Sequence, residues 1–360
     1  MKRNVKQFSL VALMLGAIPL GAYAEPPMPP APPMGLQMYV PNLDGGYEFN
    51  ASILFLKPTN RYFDYAVLTH PLPALGPTWN VQTVDPTENP GFNVGVRYIA
   101  PGTGRDVQLN WTHEHTSDSA GATAGPGAFI GTFFNTGPLA VDTSIANATG
   151  TTHYDVVNFD AGQFVQFGNH LQTRLFAGLT GLALKEELVA TLSGIVVNTT
   201  AYYTLTTNNI SRYTGMGTRF GSRVSYDVYP CISIIGQMAG SVLVGTEKSN
   251  ATYTTISPVV AAGGLPHDNQ FVQADKSTQV VPALDAKLGL SYSYMFRNQS
   301  RFTFEIGYQA ETYINAITIY QDTCDVAGTP LGSGVFVLTM GRTVSDFTNH
   351  GPYLNFSYKI

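Results

Sequence analysis

Leu284-Asp-Ala-Lys-Leu-Gly-Leu-Ser-Tyr-Ser-Tyr294 places an apolar or aromatic side chain at every even position and Asp, Lys, Gly or Ser at every odd one. Successive side chains of an extended chain point to opposite sides, so strict period two predicts a strand with two unlike faces. Working outward, Phe302, Phe304, Ile306 and Tyr308 alternate with Arg301, Thr303, Glu305 and Gln309, and Leu354, Phe356, Tyr358 and Ile360 with Tyr353, Asn355, Ser357 and Lys359. Toward the N-terminus lie a run from 232 to 244, then Met216, Phe220, Val224 and Tyr226 set against Arg219, Arg223 and Asp227. Before these come Leu171, Leu175, Ala177 and Leu179 against Gln172 and Arg174, a run from 154 to 167, Val107 to Trp111, Phe92 to Tyr98, and Tyr47 to Phe55. Together these runs predict ten strands.

The connections alternate in length. Long segments at 58–90, 116–152, 185–212, 246–280 and 316–349 are interleaved with short ones at 100–105, 168–170, 229–231 and 297–300. An even number of strands, with short turns on one rim and long loops on the other, is the layout of an outer-membrane barrel. The predicted fold class is therefore all-β: a transmembrane antiparallel β-barrel of about ten strands, short-turned at the periplasm and long-looped outside. Lipid offers the backbone no hydrogen-bond partner, so the sheet must close on itself with its apolar face outward. A soluble sandwich would turn the same faces the other way.

Composition agrees. Only 12% of the 360 residues are charged while 12% are aromatic, against about 25% charged in ordinary soluble domains. A net charge of -5 with dispersed basic residues gives no footprint for nucleic acid. Residues 1–24 combine Lys2, Arg3 and Lys6 with an apolar run from Phe8 to Leu20 and a small-x-small triplet, Ala22-Tyr23-Ala24, which reads as a cleaved signal peptide. Residues 25–44 hold seven of the prolines, as far as Pro41, and read as an extended periplasmic linker, leaving 45–360 for the barrel.

On the inward faces the alternation places Arg97, Glu114, Asp160, Arg174, Arg219, Arg223, Asp227, Asp285, Lys287, Arg301, Glu305 and Glu311, nearly balanced in sign. They either line a water-filled channel or pair across a lumen too narrow to conduct, since buried charges need partners, and ten strands favour a narrow lumen. His113 and His115 continue the outward line of Val107, Leu109 and Trp111, where amphipathic rings sit at a membrane interface, so no metal site is expected. Asp64, Asp85, Glu88, Asp346 and His350 on the long-loop side are the material of a rim protease, but no Gly-x-Ser-x-Gly, phosphate loop or His-Glu-x-x-His occurs, and neither an enzyme nor a cofactor is expected. Cys231 falls in a short turn and Cys324 in a long loop, on opposite rims and too far apart to bond. The long loops, rich in Thr, Gly, Ala and Pro, are where surface recognition would reside.

The ordered set Gly91-Phe-Asn-Val-Gly-Val-Arg-Tyr98, Asp106-Val-Gln-Leu-Asn-Trp-Thr-His-Glu-His-Thr116, Asn158-Phe-Asp-Ala-Gly-Gln163, Arg174-Leu-Phe-Ala-Gly-Leu179, Gly215-Met-Gly-Thr-Arg-Phe-Gly221, Val281-Pro-Ala-Leu-Asp-Ala-Lys-Leu-Gly289, Glu305-Ile-Gly-Tyr-Gln309 and Gly351-Pro-Tyr-Leu354 resembles the Legionella major outer membrane protein family, also described as pore-forming. The resemblance implies passive diffusion of small hydrophilic solutes, with a closed barrel whose loops act in adhesion or host-surface recognition as the alternative. Phe356, Tyr358 and Ile360 resemble the C-terminal signal read by the barrel assembly machinery. The remaining expected partners are outer-membrane lipid, further copies of the chain, and a host surface or peptidoglycan.

Overall fold

The computed structural model describes residues 38–69, 79–125, 128–132, 141–196, 202–256, 267–274, 276–322 and 340–360. Its strands are β1 (Met38–Tyr39), β2 (Gly46–Thr59), β3 (Asp64–Thr69), β4 (Trp79–Thr83), β5 (Asn89–Ala100), β6 (Arg105–Thr123), β7 (Phe129–Thr132) and β8 (Val141–Phe167). They continue with β9 (Leu171–Val196), β10 (Tyr202–Tyr229), β11 (Ile232–Ile256), β12 (His267–Gln273), β13 (Ser277–Met295), β14 (Arg301–Asp322) and β15 (Met340–Lys359). The sequence-predicted signal peptide, most of the linker and Cys324 lie outside the described residues. At the end of the linker, Met38 and Tyr39 pair with Phe167 and Gln166 of β8.

Ten antiparallel strands close a ring in the order β2-β5-β6-β8-β9-β10-β11-β13-β14-β15, and β15 returns to β2. At that seam Tyr358 pairs with Phe49 and Lys359 with Glu48. β1 and β12 attach to β8 and β11, while β4, β3 and β7 form a separate small sheet. The outward faces carry the apolar alternation: Met216 is 71% exposed, Met238 69%, Leu288 66% and Phe220 65%. Side chains of this type left so open on a closed wall require a lipid solvent.

The long connections need correction. Segment 185–212, expected as a loop, is mostly wall, since β9 runs to Val196 and β10 begins at Tyr202, and strand also occupies 246–256 and 277–280, 116–123 and 141–152, and 316–322 and 340–349 of the other expected loops. The alternation persists there but changes phase. In lower β9, odd residues (Leu175, Leu179) face lipid, whereas in upper β9 even residues (Leu182, Leu184, Leu188, Leu192) are fully buried inside. Outward positions at the same height are Lys185 and Glu187, which mark where the wall leaves the bilayer. Above that line the barrel is built as a soluble protein, with its apolar residues inside.

β14 departs from regular pairing between Tyr313 and Ile317, with Asn315 at a φ of 58°. Ala316 and Ile317 are buried in the interior, and the Thr318 amide donates to Ser211 Oγ on β10 at 3.1 Å. Across this bulge β14 has two more residues than β15, and the extra length bends the strand into the lumen.

Candidate functional site: the barrel interior

Inward positions of the lower wall hold three charge clusters. Arg174 Nε donates to Asp106 at 2.7 and 3.0 Å, and Arg97 reaches the same Asp106 at 3.2 Å and Glu48 at 3.2 Å. Arg219 bridges Asp160 of β8 at 2.8 Å and Asp285 of β13 at 2.7 Å. Arg223 pairs with Glu305 at 2.5 Å, whose other oxygen accepts the Tyr353 hydroxyl at 2.5 Å. The Phe176 ring lies between Arg174 and Arg219, 5.0 and 5.2 Å from their guanidinium carbons, giving both cations an aromatic face. The fit depends on glycine at 162: a Cβ there would stand 2.6 Å from Arg174 Nε.

Of the sequence-predicted set, Arg97, Asp160, Arg174, Arg219, Arg223, Asp285 and Glu305 meet in these clusters, and Lys287 lies 5.8 Å from the Tyr353 ring. Asp227 and Arg301 stand exposed at the short-turn rim, where Asp227 accepts from Ser233 Oγ at 2.5 Å. Glu114 and Glu311 sit higher. Glu114, fully buried, accepts from Asn349 Nδ2, and Glu311 accepts from the Tyr154 hydroxyl. Sequence reasoning missed Glu48, Asp106, Phe176 and Tyr353. The parity of their strands points all four inward, so the signal was present.

Two polar cavities occupy the lower lumen. The one at the short-turn mouth has a volume of about 310 Å³ and is lined by Glu48, Asp227, Ser291, Arg301 and Lys359; the next, about 80 Å³, is lined by Asn93, Asn110, Asp160, Arg219, Lys287 and Glu311. Arg97, Arg174, Arg223 and Glu305 belong to both, and so form the constriction between them.

Above the second cavity the lumen is crossed. Tyr154 of β8 contacts Glu311 of β14, and its hydroxyl is 2.9 Å from that of Tyr313. β8 and β14 are five steps apart in the ten-strand ring, so these side chains meet on a diameter. Phe347 packs against Tyr154 at a ring separation of 5.6 Å. Over this belt lies an apolar core in which Tyr62, Phe63, Tyr65, Ala66 and Val84 of the first long connection and Ile130 of β7 join Leu188, Leu192, Leu205 and Leu243 of the wall. Phe63 sits on Gly150, where a Cβ would come within 2.8 Å of its ring. The small sheet and its flanks are a plug. Glu186, fully buried at the height of Lys185 and Glu187, accepts from Thr152 Oγ1 at 3.1 Å, and burial raises its carboxyl well above the usual carboxylate range.

The outer-rim residues are engaged separately: Asp85 with Lys57 at 2.9 Å, Asp346 with the Asn315 amide at 2.8 Å, His350 with the Tyr308 hydroxyl at 2.7 Å. His113 meets Asp155 at 2.8 Å, and His115 stacks on His153 at 4.2 Å. Among the described residues no group of three His, Cys, Asp or Glu is placed to hold a metal. Cys231 is exposed in the β10–β11 turn.

A sequence profile described as Legionella pneumophila major outer membrane protein precursor matches residues 39–360. The chain belongs to this family. It is thus an outer-membrane protein, and the ring, its lipid face and its rim asymmetry are those of this family member. Curated protein sequences gave no match. Among solved structures it is similar to the outer membrane protease OmpT of Escherichia coli, with 8% identity, a TM-score of 0.41, and 88% of this chain and 99% of that one covered. It is also similar to the toluene transporter TodX of P. putida, with 8% identity, a TM-score of 0.30, and coverage of 88% and 90%.

Proposed function

We propose that this Legionella-type outer membrane protein is a gated pore for small hydrophilic solutes: its polar lower lumen opens toward the periplasm, and its outer end is closed by the Tyr154 belt and the plug. The observation that carries this reading is the contact of Tyr154 with Glu311 and Tyr313 across the full ring, directly above cavities walled by charge. Polar-lined lower chambers favour passage of polar solutes, and the ion pairs select by charge and size. No catalytic role is proposed.

Conductance across a planar bilayer tests it. Wild-type protein is expected to be mostly silent with brief small steps, and Tyr154→Ala combined with Phe63→Ala to give longer or larger ones. Sustained large steps from wild type would remove the gate. A double variant that folds, shown by its heat-modifiable gel shift, yet stays silent would remove the pore. The second reading, a closed barrel serving adhesion through its outer surface, would then stand, favoured by the packed plug at its outer end.

A further inference from the structure

Cross-strand pairing stacks the outward side chains of β6, β8, β9, β10, β11 and β13 into level rows. One row is Trp111, Val157, Gly181, Met216, Val244 and Val280. The row above it is His113, Asp155, Ala183, Thr214, Thr246 and Thr278. Next come His115, His153, Lys185, Arg212 and Lys248 in direct opposition, and Lys276, exposed, precedes Ser277, the partner of Glu247. An apolar row, a row that carries hydroxyls on β10, β11 and β13, and a basic row thus follow one another at about 7 Å intervals, two residues of strand each. The basic row is about 24 Å wide, five interstrand spacings.

Two things about this row call for an outside partner. Like charges directly opposed on neighbouring strands destabilise a sheet, and Lys185, Arg212 and Lys248 are three in succession. Internal acids answer them only in part: Glu187 takes Lys185 at 2.6 Å and Asp155 takes His113, while Arg212, Lys248 and Lys276 have no ion pair among the described residues. Elsewhere on the outer rim the comparable cation is satisfied internally, Lys57 by Asp85. The row also stands two residues of strand above the threonines and four above the last apolar row, Met216, Val244 and Val280.

We infer that this row binds the phosphate groups of phosphorylated lipids in the outer leaflet, with the acyl chains against Met216, Val244 and Val280 and the headgroup linkage beside Thr214, Thr246 and Thr278. Basic side chains near an anionic lipid surface each strengthen binding roughly fivefold. Charge complementarity and continuity with the apolar band select a lipid over a soluble partner.

The probe is diphosphorylated lipid A presented to the detergent-purified full chain, with bound lipid counted by native mass spectrometry. Wild type is expected to retain it, and Arg212→Gln/Lys248→Gln/Lys276→Gln to bind about 100-fold more weakly. These three side chains are surface groups, and the gel shift verifies folding. Arg212→Lys and, on the other side of the ring, Lys57→Gln should bind as wild type does. Equal retention by the triple variant, or equal binding of dephosphorylated lipid A, overturns the inference. Displacement of the lipid by millimolar inorganic phosphate would also overturn it, by making the row a free-anion site.

Discussion

Below Asp160 the wall encloses charge within an apolar exterior; above Leu182 the same strands enclose Leu, Phe and Tyr within a polar one. One continuous β9 serves both, with Leu179 facing lipid and Leu188 facing the core. What differs is the solvent outside. Where it is hydrocarbon, apolar side chains gain nothing by turning inward, and Arg and Asp must find one another in the lumen. Where it is water, the hydrophobic effect again fills the interior, and a segment of the first long connection is drawn in to complete it. A barrel of ten strands is narrow enough for side chains to fill most of it, leaving open space chiefly in the two polar cavities of the lower half.

The contrast can be broken most severely from below. Arg219→Ala leaves Asp160 and Asp285 facing each other unpaired in a buried site, and is expected to cost about 3–5 kcal/mol, read as a lowered melting temperature in detergent. From above, Leu188→Ala removes a fully buried side chain and should cost about 3 kcal/mol through its cavity; a loss as small as that of a surface substitution would mean that the upper interior is wet. Gly150→Ala sharpens the comparison at the plug. A methyl group against Phe63 should cost about 1–3 kcal/mol by overpacking and increase proteolysis of the first long connection, with no change in the lower ion pairs.

The smallest effect expected is pH-dependent. Glu186, at the water-exposed height of the wall, has its carboxyl raised above its ordinary value of 4.5 by burial. The folded state therefore holds the proton more tightly than the unfolded one. Its stabilising contribution is complete below pH 4.5 and is lost as pH rises through the folded value. Glu186→Gln, a mimic of the protonated acid, should melt with wild type near pH 4.5 and above it at pH 8; coincident curves at both would place a charged Glu186 in water.

The lower half was legible because lipid imposes one rule on every strand: Leu284 to Tyr294 alone gives the faces, and parity alone assigns Arg219, Asp285 and Glu305 inward. The upper half was misread for a physical reason. Between Leu179 and Leu182 the apolar residues move from odd to even positions, so a search for lipid-facing alternation ends there and reports a loop. Leu182, Leu184, Leu188 and Leu192 keep even parity, and reading that shift as a change of solvent would have extended the strand. The Tyr154 contact with Glu311 was beyond reach. It depends on register around half the ring, which no local pattern carries.

Cysteine accessibility measures the two interiors on one scale. In a background with Cys231→Ser and Cys324→Ser, single substitutions Ser291→Cys at the lower cavity and Leu205→Cys in the upper core are exposed to a small charged methanethiosulfonate reagent in the folded, detergent-solubilised protein. Rapid modification at 291 with protection at 205, lifted when Phe63→Ala is added, is the expected result. Modification at 205 as fast as at 291 would mean an interior that is water-filled along its whole length, and would contradict the two-solvent account of this barrel.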